Sequence, residues 1–257
     1  MSPDLRAPIN GLSHVRGSTD EPLSSLTIGQ LLAATVQRWP ERDAAVFSEQ
    51  GQRFTWAELQ AVVDTAAAGL QQLGVKPGDR VGIWSPNRSE WLVTQFATAR
   101  IGAILVNINP AYRLAELEYA LNKSGVSVLV TAAAFKTSQY LDMLQKLGVG
   151  DSGTSDRLPA LRVVVRLGDE ATPGMMNWRQ LLALGDGRHA DLPAPDSLQC
   201  HDPINIQFTS GTTGAPKGAT LTHHNIVNNG MAVARCMRLT EADALCIPVP
   251  LYHCFGM

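Results

Sequence analysis

The hydrophobic pattern near the start of the chain predicts a helix, a hairpin and a second helix. Capping boxes of the form T-x-x-Q and T-x-x-E begin at Thr27 and Thr55, and each is followed by apolar residues at helical spacing. The first helix is expected to end near Pro40 and the second at Gly74. Between the helices, residues 44–48 and 53–55 flank a short polar turn and predict a hairpin.

From residue 80 onward, short apolar segments alternate with helical patterns. Strands are expected at residues 80–85, 103–107, 126–131 and 161–167, and helices at residues 90–101, 114–123 and 135–147. Such alternation is typical of right-handed βαβ units, in which a parallel sheet is covered by helices on both faces. The predicted fold class is therefore α/β.

Composition and charge exclude several kinds of partner. The chain has 257 residues, of which 45% are hydrophobic, and its 21 basic and 23 acidic residues are mixed along the sequence to give a net charge of −2. This distribution contains no basic stripe of the kind that nucleic acid or an anionic membrane requires. We therefore expect no nucleic-acid partner, and an anion would have to be bound by local geometry. The four cysteines form no CxxC motif and are interpreted as reduced thiols.

The first 25 residues are expected to form a mobile N-terminal arm, followed by a domain over residues 26–257. The arm contains prolines, glycines and acids but lacks the apolar segment of a signal peptide. No apolar run approaches the length of a membrane span, so we expect no integral membrane segment. These features favour a cytoplasmic protein.

One glycine motif resembles a dinucleotide-binding fingerprint only in its letters. Gly148, Gly150 and Gly153 form G-x-G-x-x-G, but the motif follows a predicted helix rather than a strand, and the residues after it do not begin a helix. We interpret it as an ordinary loop.

Neighbouring histidines and cysteines raise the possibility of a metal site. The pairs begin at Cys200, His223 and His253, and in each pair the two residues are adjacent, without the spacing of a zinc site. We therefore expect no metal held by protein side chains. His223 and His224 are instead expected near the start of a helix that follows Thr222.

A loop rich in glycine and hydroxyl side chains follows the alternating strand pattern of residues 204–208. Gly211, Gly214 and Gly218 allow successive N–H groups to converge on an anion, the hydroxyl side chains donate hydrogen bonds, and the lysine adds a positive charge. A polyphosphate site is predicted here, and an ordinary surface turn is the alternative. The candidate phosphate loop comprises Thr209, Ser210, Gly211, Thr212, Thr213, Gly214, Ala215, Pro216 and Lys217, with Gly218 after it.

The loop is not a Walker A motif. That motif requires G-K-[ST], whereas here Pro216 precedes Lys217 and Gly218 follows it. Because the hydroxyl that would bind Mg²⁺ is missing, a P-loop kinase or ATPase is disfavoured.

Three segments resemble motifs of one family. Residues 208–225, FTSGTTGAPKGATLTHHN, look like the signature phosphate-binding loop of the adenylate-forming (AMP-binding) acyl-CoA synthetases. Residues 248–256, PVPLYHCFG, resemble the next motif of that family, and residues 109–121, NPAYRLAELEYAL, resemble its upstream helix. The three occur in the family's order, the resemblance extends from about residue 26 to the last residue, and it is closest to the medium-chain fatty acyl-CoA ligases.

The resemblance implies a fold and a reaction. The fold would be the N-terminal part of a synthetase large domain, with mostly parallel sheets and helices on both faces. The reaction would activate a fatty acid with ATP and Mg²⁺ to an acyl-adenylate, which coenzyme A then converts to a thioester. The implied partners are these small molecules.

The resemblance also implies roles for individual residues. Residues 209–217 would bind ATP, and Lys217 and His253 would be catalytic, with His253 beside the reacting carboxylate and the α-phosphate. Tyr252 and Phe255 would lie near the acyl or coenzyme A channel. The alternative for His253 is a buried structural histidine after an apolar strand.

The family's later nucleotide-binding motifs and its C-terminal lid domain have no counterpart in this sequence, so we expect an N-terminal fragment with an incomplete AMP-binding domain. Two alternatives stay open: a folded fragment without activity, and an adenylating domain for an aryl or amino acid.

Overall fold

A central sheet flanked by helices is the main feature of the computed structural model, which describes residue 11, residues 21–194, 196–209 and 216–254, and residue 256. The helices in these residues are α1 Ile28–Arg38, α2 Trp56–Gln72, α3 Ser89–Ile101, α4 Leu114–Ser124, α5 Tyr140–Lys146, α6 Trp178–Gly185 and α7 His223–Cys236. The strands are β1 Asp43–Phe47, β2 Gln52–Thr55, β3 Arg80–Trp84, β4 Ile104–Asn107, β5 Val126–Thr131, β6 Ala134–Phe135, β7 Ser138–Gln139, β8 Val163–Arg166, β9 Met176–Asn177, β10 Pro203–Thr209 and β11 Lys217–Thr222.

The central sheet has seven strands in the order β11-β10-β4-β3-β5-β8-β9. All neighbouring pairs are parallel except β10 and β11, which form an antiparallel pair at one edge. Two small antiparallel hairpins, β1-β2 and β6-β7, lie outside this sheet. The parallel-dominated sheet confirms the predicted α/β class.

The two faces of the sheet are buried in two separate hydrophobic cores. Successive residues of a strand point to opposite faces, and accordingly Leu105 of β4 lies in one core while its neighbour Val106 lies in the other. The first core contains side chains of α2, α3 and α6, and the second contains side chains of α4 and α5. Helices therefore cover both faces, as predicted.

Both predicted capping boxes are present. The Thr27 hydroxyl accepts from the Gln30 amide at 3.2 Å, and the Gln30 side chain accepts from the Thr27 amide at 2.8 Å. The same pair of bonds joins Thr55 and Glu58 before α2. A further box at Thr222 begins α7, which confirms that His223 lies at a helix start. These exchanged bonds satisfy N–H groups that a helix leaves unpaired at its first turn.

The structure corrects two expectations about secondary structure. The single helix expected over residues 135–147 is instead the β6-β7 hairpin followed by α5, and Lys136 takes a positive φ of 51° in the hairpin turn. The apolar strand expected shortly before His253 is irregular and exposed, with Leu245 at 55% and Ile247 at 46% of full exposure. The strand β9 and the helix α6 were not predicted.

The segment just before α1 is bound to α7. Ser24 donates its backbone N–H to the Asn228 side chain at 2.7 Å, and the Asn228 amide donates to the Ser24 carbonyl at 3.0 Å. Glu21 pairs with Arg235 at 2.7 Å. Residues 21–25, which were expected to belong to a mobile arm, are therefore held against the domain.

The G-x-G-x-x-G segment forms a turn, as interpreted from the sequence. Gly153 donates its N–H to the Gly150 carbonyl at 2.9 Å, and no helix follows the motif.

All four cysteines are free thiols. None of the described helices is both long enough and apolar enough to cross a membrane.

Candidate active site

The candidate phosphate loop connects β10 to β11 at the carboxyl end of β10. Thr209 is the last residue of β10, Lys217 is the first residue of β11, and the two are paired across the antiparallel ladder. Both are exposed, whereas Ser210, Gly211, Thr212, Thr213, Gly214 and Ala215 lie outside the described residues. Because β10 is parallel to β4, the loop begins at the sheet edge where parallel strands commonly present ligand-binding residues.

Gly218 has a different role from the one expected. It lies within β11, and a Cβ atom added there would be 3.1 Å from the Ile206 Cγ2 atom and 3.6 Å from the Phe208 ring. The glycine therefore lets β11 lie close against the side chains of β10. It does not contribute a turn conformation to an anion nest.

The second motif, residues 109–121, contacts the end of the phosphate loop. The Tyr119 hydroxyl, on α4, donates a hydrogen bond to the Pro216 carbonyl at 3.1 Å. The start of the motif is fixed from below, because the Trp84 indole donates to the Asn109 carbonyl at 3.1 Å and the Tyr140 hydroxyl donates to the Pro110 carbonyl at 2.7 Å. The motif and the loop are thus brought together by the fold.

The third motif, residues 248–256, is held over the same sheet edge by an asparagine that follows β3. The Asn87 amide donates to the Val249 carbonyl at 2.9 Å, and the Asn87 side-chain oxygen accepts from the Leu251 N–H at 2.7 Å. A side-chain amide that both donates and accepts in this way imitates a strand neighbour, so it fixes the backbone direction of residues 249–251.

A buried glutamine of β10 holds the next residue of this motif. The Gln207 amide donates to the Tyr252 carbonyl, and its side-chain oxygen accepts from the Asn107 amide at 2.9 Å. Gln207 precedes the phosphate loop by only two residues. The strand that carries the loop therefore also contacts the backbone next to His253.

His253 is exposed, so the alternative of a buried structural histidine is wrong. Its backbone N–H donates to the Pro250 carbonyl at 3.1 Å. The Cys254 sulfur lies 3.7 Å from the Nδ1 atom of His253, and the Tyr252 ring meets the imidazole edge-on with 6.2 Å between ring centroids. An exposed imidazole can accept or donate a proton at a bound ligand.

The Tyr112 phenol of the second motif is partly buried, and its pKa is raised. Burial raises the pKa of the Tyr112 phenol, and Glu116, Tyr252 and Tyr119 raise it further through their charges. Tyr112 and Tyr119 belong to the second motif and Tyr252 to the third, while Tyr119 also touches the loop. Tyr112 is accordingly expected to stay a neutral hydrogen-bonding group at physiological pH.

The two described ends of the phosphate loop carry groups that suit an anion. Lys217 supplies an exposed positive charge and Thr209 a hydroxyl at the mouth of the loop. Within the described residues, no cluster of three or more His, Cys, Asp or Glu side chains could hold a metal ion.

Sequence reasoning missed Asn87, Gln207 and the Tyr119 contact. Asn87 reaches residues 162 and 164 positions away, and Tyr119 reaches one 97 positions away. No local pattern reports such contacts. A signal did exist for Gln207. A strand inside a mostly parallel sheet is covered on both faces, so a polar side chain in it is buried and needs a hydrogen-bond partner.

The chain is similar to curated proteins over almost its whole length. The chain is 48% identical over 258 residues to a Danio rerio protein named medium-chain acyl-CoA ligase ACSF2, mitochondrial, and 45% identical over 263 residues to the Mus musculus protein of that name. These alignments cover 95% and 97% of this chain but only 42% of each relative, so the chain spans less than half of their length.

A solved structure matches over most of the chain. The apo structure of Mycobacterium smegmatis MbtA superposes with a TM-score of 0.75 at 31% identity, covering 91% of this chain and 40% of that one. A family model described as AMP-binding enzyme matches residues 32–257. The chain therefore belongs to the AMP-binding enzyme family.

Proposed function

We propose that this chain is the phosphate-binding part of an ATP-dependent acyl-CoA ligase that activates a medium-chain fatty acid. A carboxylate oxygen of the acid would attack the α-phosphorus of ATP, and the bond from that phosphorus to the bridging oxygen would break and release pyrophosphate. The coenzyme A thiol would then attack the acyl carbon, lose its proton, and displace AMP to leave a thioester.

One observation carries this proposal. The Tyr119–Pro216 and Gln207–Tyr252 hydrogen bonds bring the three family-like motifs together at the carboxyl edge of one parallel sheet. Tyr119 and Pro216 are 97 positions apart in sequence and Gln207 and Tyr252 are 45 apart, so the fold itself brings these motifs to one edge. The names of the relatives supply the substrate class in the proposal.

The roles of the loop residues follow from what in-line phosphoryl chemistry requires. The protein chiefly positions the phosphates and neutralises the charge that develops on the leaving pyrophosphate. Lys217 would do this through its charge. Residues 209–216 would do it through hydroxyl and N–H donors, and ATP would bring the Mg²⁺ ion with it.

His253 would act on the other side of the reaction. It would lie beside the attacking carboxylate and the α-phosphate, where an imidazole N–H can stabilise negative charge on oxygen. Tyr252 would adjoin the acyl or coenzyme A channel. Phe255, assigned with it, lies outside the described residues.

The cellular location stays a separate prediction. The sequence favours a cytoplasmic protein, whereas the two relatives carry the word mitochondrial in their names. Microscopy of the tagged full chain in its own cells decides between these locations.

The test is carboxylate-dependent exchange of labelled pyrophosphate into ATP by the purified chain. Octanoate and benzoate are compared, and Lys217→Ala is measured beside Lys146→Ala, which removes an exposed lysine from the end of α5. We expect exchange that requires octanoate, that falls at least about a hundredfold in Lys217→Ala, and that is unchanged in Lys146→Ala.

Two results contradict the proposal. Exchange supported by benzoate and not by octanoate would favour an adenylating domain for aryl acids. No exchange from a chain whose circular dichroism shows it to be folded would mean that this chain alone is inert.

A further inference from the structure

The backbone that leads into His253 is held by two side-chain amides from different strands. Asn87, after β3, bonds to Val249 and Leu251, and Gln207, in β10, bonds to Tyr252. We call Asn87 and Gln207 the amide clamp. Its bonds reach 45 residues along the chain from Gln207 and more than 160 from Asn87.

The orientation of the Gln207 amide is fixed inside the sheet. Gln207 is only 7% exposed, and the fully buried Asn107 on the neighbouring strand donates to its side-chain oxygen at 2.9 Å. Because that oxygen is occupied by a donor, the NH₂ group of Gln207 must point the other way, toward the Tyr252 carbonyl.

Burying the Asn107–Gln207 amide pair costs more free energy than apolar side chains would at the same positions. Amides removed from water destabilise the fold unless they are fully hydrogen-bonded, and an apolar side chain would fill the same position in a covered sheet. Asn205 adds to the cluster, since its side-chain oxygen lies 3.5 Å from the Asn107 amide nitrogen. The hydrogen bonds of this cluster fix the orientation of the Gln207 amide, which donates to the carbonyl of Tyr252, the residue before His253.

We propose that Asn87 and Gln207 are positioning residues that hold His253 at a fixed distance from Thr209, the residue at which the phosphate loop begins. Gln207 lies two residues before Thr209, so the strand that ends in the loop also fixes the backbone beside the histidine. The catalytic consequence rests on the function proposed above, whereas the positioning itself is a property of the folded chain.

The first test needs no activity. Hydrogen exchange of residues 249–254 and the ¹³C-¹H resonances of the His253 ring are compared in the wild-type chain, Asn87→Ala and Gln207→Met. Asn122→Ala is the matched control, because the Asn122 amide also holds a distant backbone carbonyl, that of Arg157 at 2.9 Å. We expect exchange at Leu251 to become about tenfold faster in Asn87→Ala and the His253 resonances to move in both clamp variants.

The control and a reference histidine limit the interpretation. Asn122→Ala should leave both readouts at their wild-type values. The resonances of His189, whose ring contacts Thr65 far along the chain, should not move in any variant. If Gln207→Met does not fold, Asn87→Ala decides alone, because Asn87 is exposed and its removal leaves the cores intact.

Unchanged exchange at residues 249–254 together with an unmoved His253 resonance would overturn the positioning role. Where the wild-type chain is active in pyrophosphate exchange, both variants should lower kcat about tenfold or more and leave the KM for ATP within about twofold. An active chain whose kcat is unaffected by the clamp variants would also overturn the proposal. An inactive wild-type chain contradicts the proposed ligase function and leaves the exchange and resonance tests of positioning intact.

Discussion

The indole of Trp84 is stacked on the phenol ring of Tyr140, with 3.6 Å between ring centroids and 11° between ring planes. Both rings are fully buried, and each donates one hydrogen bond to a neighbouring carbonyl, Trp84 to Asn109 and Tyr140 to Pro110. The end of β3 and the start of α5 are therefore joined beneath the segment that leads to α4. Aromatic pairs contribute stability beyond their buried area, and their polar atoms here also fix a backbone.

We expect Tyr140→Phe to destabilise the fold by about 1–3 kcal/mol, because it leaves the Pro110 carbonyl without its donor. Urea denaturation measures the change. Tyr140→Leu should destabilise the fold further, since it also removes the stacked ring. Equal losses in the two variants would show that the ring contributes nothing beyond its hydroxyl group.

Stability should fall when the pH is lowered through the range in which His223 titrates. The His223 ring is fully buried, its Nδ1 atom accepts from the Ile28 N–H at 3.1 Å, and burial lowers its pKa to about 4, although Asp202 opposes the shift. In the unfolded chain, His223 therefore binds a proton near pH 6.5, whereas in the folded chain it stays neutral at that pH. The stabilisation is complete above pH 6.5 and is lost progressively down to about pH 4.

The expected loss across this interval is about 3 kcal/mol from His223 alone. His223→Asn should reduce that pH dependence, because an asparagine oxygen can still accept from Ile28 and does not titrate. His201→Asn, at an exposed histidine, is the control and should leave the pH profile as in the wild-type chain. Thermal unfolding at pH 7, 6, 5 and 4 gives the comparison.

The G-x-G-x-x-G turn provides a matched pair of glycines. Gly153 has a φ of +73°, and a Cβ atom added there would lie 2.3 Å from the Gly174 carbonyl oxygen, whereas a Cβ atom at Gly150 would meet nothing within 4 Å. Gly153→Ala is therefore expected to lower the free energy of unfolding by about 2 kcal/mol or more, and Gly150→Ala to change it by less than about 0.5 kcal/mol. Denaturant titration measures both free energies. Equal effects of the two substitutions would contradict the predicted clash between a side chain at residue 153 and the Gly174 carbonyl oxygen.

Loss of the Tyr119 hydroxyl should weaken ATP binding if the phosphate loop binds ATP as proposed. Tyr119→Phe removes the donor to the Pro216 carbonyl and leaves the ring in place. We expect the Kd for Mg·ATP to rise about two- to tenfold, the range that corresponds to one hydrogen bond. Isothermal titration calorimetry measures this.

Glu118→Gln is the control for Tyr119→Phe. It changes the neighbouring residue of α4 and removes a surface ion pair with Arg157 at 2.6 Å, but it leaves the Tyr119 hydroxyl in place. Its Kd for Mg·ATP should equal that of the wild-type chain. An equal loss of affinity in both variants would show that α4 as a whole, and not the hydroxyl, supports the loop.

Local signals predicted most of the fold. The caps at Thr27 and Thr55 are read from four residues each, and the strands β3, β4 and β5 are short apolar segments between helices. Both kinds of signal depend on neighbours in the sequence. The β6-β7 hairpin could not be predicted in this way, because residues 134–139 are too few to show an alternation of hydrophobic and polar positions.

The candidate site was predictable only in part. Its loop and His253 each lie within a short motif that can be recognised in the sequence, but the contacts of Asn87 and Tyr119 join residues far apart in the chain. The pattern of β10 was also misleading, since alternation usually indicates one exposed face. Here the polar residues Asn205 and Gln207 are more buried than the apolar Ile206 and Phe208, because the polar side chains meet Asn107 between the strands.

The strand order has a consequence for how the chain can fold while it is being synthesised. The first strands of the central sheet to be made, β3, β4 and β5, are neighbours in its middle, and later strands add outward, β8 and β9 on one side and β10 and β11 on the other. No completed pairing has to open for a later strand to enter. The first helix does not follow this order, because the acceptor of the Ile28 N–H is His223, which lies 195 residues downstream. On the ribosome, α1 can pack against α2 and α3 early, but its first turn should gain this hydrogen bond only after α7 has formed.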